Sequence, residues 1–190
     1  MCEMVGKKIA LLKTVKPFIS EEALSEIAAS LVNSTLLYAA PLWGTTVNMN
    51  IDKLQKAQTR AARIVKNTSW KRQKVKSHRQ DLLNQLNWPN TKQIIHMATA
   101  NITKKAILGQ SSVGMNSMFK QSQSAHPRVG PAIRLDHKGK INKSTNIFSV
   151  SAAKIFNELP IPLKHPQLTE KQFKNRIKKH SRALHPLQTH

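Results

Sequence analysis

The chain has 190 residues, enough for one ordinary domain with a real core, and its apolar fraction of 39% with 5% aromatics makes that core mainly Leu, Ile, Val, Ala and Met. No apolar run approaches the ~18 residues that cross a bilayer, and Cys2, the single cysteine, excludes an internal disulfide and any cysteine-rich zinc site. Thirty-one Lys and Arg against nine Asp and Glu give a net charge of +22, the balance of a chain that holds a polyanion, most often nucleic acid.

The apolar periodicity is helical almost throughout. A first helix is predicted over residues 4–16, ending before Pro17, which pushes its predecessor out of the helical region. Ser20 is a good N-cap, with Glu21 and Glu22 suited to the first turn. Leu24, Ile27, Ala28, Leu31, Thr35 and Tyr38 then share one face of a second helix. "YAAPLWG" closes it, with Pro41 as breaker and Gly44 as the residue for a left-handed cap. Asn50 caps a third helix running to Lys66, with Leu54, Ala61 and Val65 on its apolar face. A basic connector, "KNTSWKRQKVKSHR", leads to a short helix over 79–86 that stops at Trp88-Pro89. Thr91 caps the next helix, which carries Ile94, Ile95, Ala98, Ile102 and Ile107 to Gly109.

Residues 110–145 have no sustained period and are rich in Ser, Gly, Gln and Pro. They read as an extended linker with a short strand or hairpin near Ile133–Ile141. Helical spacing returns with Phe148, Ala152, Ile155, Phe156 and Leu159. Asn157 and Glu158 have no partner that would make them a catalytic pair; they form the last turn before Leu159-Pro160 breaks the helix. A final helix starts at Thr169, with Gln172 completing a capping box and Phe173 and Ile177 pointing inward.

Charge is unevenly placed along these elements. Residues 1–51 carry four lysines and four glutamates. Between Asp52 and Asp81 stand Lys53, Lys56, Arg60, Arg63, Lys66, Lys71, Arg72, Lys74, Lys76 and Arg79 with no acid among them. Lys53, Lys56, Arg60 and Arg63 step by three, four and three along the third helix, forming one stripe. An ordinary soluble surface intersperses both signs, so this stripe and the connector read as a phosphate-tracking surface. Trp70 is either a base-stacking platform beside it or a core anchor. Lys174 and Lys178 extend the basic set to the last helix, whereas Trp43 and Trp88 read as core plugs.

Catalytic chemistry has little support. Two-metal phosphoryl transfer needs convergent carboxylates, yet Asp52, Asp81 and Asp136 stand alone, and Glu21-Glu22 is explained by helix capping. No Gly-rich phosphate loop or nucleophile elbow is present. His180, His185 and His190 are five apart rather than paired at i, i+4, so no metal site is expected; His96 reads as a packing residue.

Four stretches in order resemble the region that follows the catalytic palm in reverse transcriptases of non-LTR retrotransposons. "SLVNSTLLYAAPLWGTT" is similar to the thumb helix ending in Tyr-Gly/Ala-Ala-Pro-x-Trp-Gly, and "IDKLQKAQTRAARIV" to the Leu-x-x-x-Gln-x-x-x-x-Arg-x-Ile helix after it. "LLNQLNWPNTKQIIHMATANITKKAILG" resembles the next Leu-rich unit. "FSVSAAKIFNELP…FKNRIKKH" resembles a Trp-Asn-x-Leu-Pro corner followed by a Phe-Lys-x-x-Leu-Lys helix, with Phe156 and Ile177 at the Trp and Leu positions. Nothing matches the family's paired palm aspartates.

The expected protein is therefore all-α. It has a thumb-like helical bundle over 1–109, a largely irregular linker over 110–145 and a C-terminal helical unit with a basic tail over 146–190. The resemblance implies a non-catalytic fragment that grips RNA or an RNA–DNA template/primer through backbone phosphates, without cofactor or metal. The polymerase palm of the same element is a further expected partner; a membrane is not. Composition alone fits a ribosome-associated RNA-binding protein equally well, and a remnant without independent function is a further alternative. The lone cysteine suggests a reducing intracellular setting, nuclear or cytoplasmic.

Overall fold

The computed structural model describes residues 2–45, 48–68, 76–121, 132–135 and 148–184. Among these residues the fold is all-α apart from one two-stranded antiparallel sheet. The chain divides into two compact units. The first draws on Met1–Ala40, Val47–Ile94 and Leu184–His190, the second on Pro41–Thr46 and Ile95–Ala183. The bundle expected over 1–109 is thus apportioned differently. The long helix Thr91–Ile107 gives its first turn to one unit and the rest to the other, because Ala100 and Ala106 belong to the apolar core built by the C-terminal helices.

In the first unit, α1 (Cys2–Val15) buries Val5, Ile9 and Leu12, one face at helical spacing, and runs into a 3-10 turn (Lys16–Phe18) at Pro17. Ser20 Oγ accepts from Ala23 N–H (3.2 Å) and caps α2 (Glu21–Ala28). The helical path then continues through a π-helical stretch (Ala29–Asn33) into α3 (Ser34–Leu37). The buried residues are Leu24, Ala28, Val32, Asn33, Thr35 and Leu36, while Ile27 and Tyr38 are exposed. This corrects the expected face. At 3.6 residues per turn each i, i+4 step over-rotates by about 40°. The wider π turn takes up much of that drift, so residues four apart stay stacked on the core.

Ala39, not Gly44, takes the left-handed conformation (φ 51°) before α4 (Ala40–Trp43), so Pro41 sits within a new helical turn instead of stopping one. α5 spans Asn48–Val65 and buries Ile51, Leu54, Ala61, Ala62 and Val65; Asn50, the expected cap, is already helical. Inside it Gln58 is fully buried, its Nε2 donating to Asn33 Oδ1 (2.9 Å) and the Pro89 carbonyl (2.7 Å). α6 (Lys76–Gln85) ends at Asn87 (φ 54°), and Trp88 is buried beyond it. Asn90, one residue before the expected Thr91, caps α7 (Thr91–Ile107). Its Oδ1 accepts from Gln93 N–H and Gln93 Oε1 accepts from Asn90 N–H, both at 2.9 Å.

α5, α6 and α7 end alike. Thr68, Trp88 and Gln110 donate backwards five residues to the carbonyls of Arg63, Leu83 and Lys105, with Asn67, Asn87 and Gly109 left-handed between. That Schellman closure needs a residue tolerant of positive φ, which Asn and Gly supply.

In the second unit, α8 (Val113–Ser117) leads into β1 (Phe119–Gln121), which pairs antiparallel with β2 (Ile133–Leu135) in the register Phe119↔Leu135. The strand near Ile133 therefore finds its partner upstream rather than in a local hairpin; residues 136–141 lie outside the described set. α9 (Phe148–Glu158), α10 (Ile161–Lys164) and α11 (Glu170–Leu184) follow. Phe119, Ile133, Ala152, Phe156, Leu159, Leu163, Phe173 and Ile177 close one core with α7. The Thr169–Gln172 box caps α11 as expected, by bonds of 3.3 and 3.1 Å.

Asn157 does more than end α9. Its Oδ1 accepts from Ile133 N–H (2.9 Å) and its Nδ2 donates to Ile133 C=O (3.1 Å), so one side-chain amide pairs both backbone groups of Ile133 at the edge of β2. Its own carbonyl accepts from Lys164 Nζ (2.8 Å).

Candidate nucleic-acid interface

A trough of about 940 Å³ lies in the first unit, between α1 and α5. Cys2, Gly6, Ile9, Lys13 and Lys16 line it from the first helix and the turn that follows, at steps of four, three, four and three. Lys56, Arg60, Arg63 and Asn67 line it from the other side at steps of four, three and four, with Ala57, Ile64 and Thr68 beside them. Each wall is thus one helical face. The space exists because Cys2, Gly6 and Ala57 are small where larger side chains would fill it.

Among the described residues five cations line the trough and no carboxylate does. Two acids of this unit are paired: Glu3 with Lys7 (3.0 Å) on the exposed side of α1, and Glu21 with Lys66 (2.6 Å); Asp52, one turn before Lys56, is exposed outside the lining. Lys13, Lys56 and Arg60 are exposed, and none has an ion-pair partner among the described residues. Lys16 Nζ donates to the neutral Oδ1 of Asn67 (2.7 Å), closing one end of the trough. Arg63 is buried to 9% exposure. Burial, and secondarily the charge of Arg79, push its pKa below the ordinary arginine value. Like charges held this close gain most from an anion placed between them.

Of the residues singled out from sequence, Lys56, Arg60 and Arg63 meet in this trough, and Arg79 lies near enough to act on Arg63. Lys53 is exposed on α5 outside the lining, and Lys66 is tied to Glu21. Trp70, Lys71, Arg72 and Lys74 lie outside the described residues, as does the side chain of Lys76. Lys174 and Lys178 are exposed on α11 in the second unit, where Lys174 pairs with Glu170 (2.5 Å). The hydrogen bonds from Lys174 and Lys105 hold the Glu170 carboxyl below its usual range.

Sequence reading missed Lys13 and Lys16. It balanced the lysines of residues 1–51 against an equal number of glutamates, which hides their direction. Lys8 turns inward to the Leu31 carbonyl (3.1 Å) and Thr35 Oγ1, and Lys7 is paired, whereas Lys13 and Lys16 point into the trough. The available signal was their spacing from Cys2, Gly6 and Ile9.

Among the described residues no cluster of three or more His, Cys, Asp or Glu is placed to hold a metal ion. No described helix is long and apolar enough to cross a membrane. His96 is buried, its ring 5.9 Å from that of His180, whose pKa burial pushes down. No protein-family model, curated protein or solved structure matches the chain.

Proposed function

We propose that this chain is a non-catalytic nucleic-acid-binding element of the kind found after the palm in non-LTR retrotransposon reverse transcriptases, gripping RNA or an RNA–DNA template/primer through backbone phosphates. The observation that carries the binding reading is the α1–α5 trough, where, among the described residues, five cations converge without a carboxylate. Arg and Lys at such a site neutralise phosphates and release condensed counterions, a contact that holds any sequence alike. The retrotransposon part rests on the ordered motifs, chiefly "YAAPLWG" and "FNELP".

Binding of a fluorescein-labelled RNA 20-mer tests the reading. With five phosphates neutralised, affinity should fall about 10²- to 10³-fold between 50 and 200 mM salt. Changing Lys56→Gln and Arg60→Gln together should lower the magnitude of the log–log salt slope by about 1.4–1.8, with helicity by circular dichroism unchanged. A flat salt response would refute phosphate tracking, and an unaltered slope in the double variant would remove α5 from the role.

A further inference from the structure

Resting on that reading, we infer that the α1–α5 trough seats one sugar–phosphate strand and excludes a duplex, with Gly6 as the residue that keeps its floor open. The shape argues first. From Cys2 to Lys13 the α1 wall runs about 17 Å at 1.5 Å per residue. A volume of about 940 Å³ spread over that length leaves about 55 Å², a path about 7 Å on a side for the centre of a water molecule and about 10 Å from wall to wall. A duplex, whose major groove alone is about 12 Å wide, does not enter such a channel. A single backbone does.

The lining argues second. Lys56, Arg60 and Arg63 rise along α5 at intervals of about 6 and 4.5 Å; Lys13 and Lys16 face them from the α1 side, so cations border both flanks of one path. Between them Gly6, Ile9, Ala57 and Ile64 form an apolar floor suited to sugar carbons. Among the described residues no aromatic side chain lines the trough, so they offer no stacking platform there. An acidic peptide is a poorer occupant, because Arg and Lys on both flanks match a backbone carrying a charge at every step.

Gly6 supplies an independent observation. Glycine inside a helix costs roughly 0.5–1 kcal/mol relative to alanine, and no tight packing requires it here: a Cβ built at Gly6 would meet nothing within 4 Å. The open space it preserves is the trough itself. A glycine in that place lets a ligand backbone approach the helix closely.

The test uses the full chain, a labelled 12-nucleotide oligo-U and an RNA–DNA duplex of the same length. Gly6→Leu should fold at least as well, since leucine is the better helix former, and should lower oligo-U affinity tenfold or more while changing duplex affinity less than about twofold. Lys13→Gln with Lys16→Gln should cost oligo-U about 25-fold at 0.1 M salt and reduce its salt slope by about 1.4. Equal losses on both polymers, or none on oligo-U from either variant in a chain of unchanged helicity, would overturn the single-strand seat while leaving phosphate binding standing. Displacement of oligo-U by poly-glutamate at equal charge concentration would overturn it in favour of an acidic polypeptide. Binding of neither nucleic acid would overturn the inference together with the reading beneath it.

Discussion

Replacing Asn157 with leucine removes a clamp whose two bonds run from one side-chain amide to both backbone groups of Ile133, at 2.9 and 3.1 Å. Leucine keeps the branching at Cγ, is somewhat larger and is apolar, so the side chain still packs against the neighbouring core. What is lost is the pairing. Each hydrogen bond contributes about 1 kcal/mol net, and a buried backbone group left without a partner costs about 1–3 kcal/mol. Ile133 is only 3% exposed, although the bonds themselves are part-buried and water can reach one side. A loss of about 2–3 kcal/mol follows, or roughly 5–10 °C in the transition of a domain of this size. Calorimetry reads the shift, and amide exchange localises it: the Ile133 N–H should lose protection while amides of α11 follow the global change only. Asn157→Asp should fall between, since it keeps the acceptor for Ile133 N–H but sets a carboxylate against Ile133 C=O. An Asn157→Leu protein within about 0.5 kcal/mol of the parent, or one with Ile133 still protected, would show that the amide is not holding the strand.

Ala39→Gly should raise stability by about 0.5–1 kcal/mol in a denaturant titration. It relieves a left-handed L-residue penalty of about 1–2 kcal/mol and gives part of that back as the greater freedom of glycine in the unfolded chain; the φ of 51° at Ala39 is the basis. Burial lowers the pKa of both Lys104 and Lys164. The unfolded chain therefore binds more protons than the folded one between those lowered values and the ordinary lysine value of about 10.4, and stability should rise with pH through that window. Thermal melts across the alkaline range should show the rise in the parent and its loss in Lys104→Met with Lys164→Met. Lys104 also donates to the Leu168 carbonyl (3.2 Å) and lies 4.3 Å over the Phe173 ring, so the double variant should melt lower at neutral pH as well.

Local chemistry made much of the helical framework legible in the sequence. Pro17, the Ser20 cap, the Thr169–Gln172 box and Gly109 act within a few residues of themselves, and the structure places each as its chemistry requires. The same locality explains the misreadings. Asn90 outcompetes Thr91 because Gln93 answers it reciprocally, and Ala39 is forced left-handed where Gly44 was available. The π turn at Ala29–Asn33 cannot be read from a fixed period, because it exists to keep Val32 and Leu36 on a core that other helices complete.

The sequence by itself determined that the chain is helical, strongly basic and acid-free from Lys53 to Gln80, since composition and period need no knowledge of what packs on what. It picked out Lys56, Arg60 and Arg63 for the same reason: their spacing is a property of one helix. Only the tertiary structure decided that Lys13 and Lys16 join them, that Lys66 is spent on Glu21, and that Asn157 holds a strand 24 residues upstream. The physical reason is one of range. A side chain's partner across a groove is set by how two helices pack, and no count of charges along the chain carries that direction.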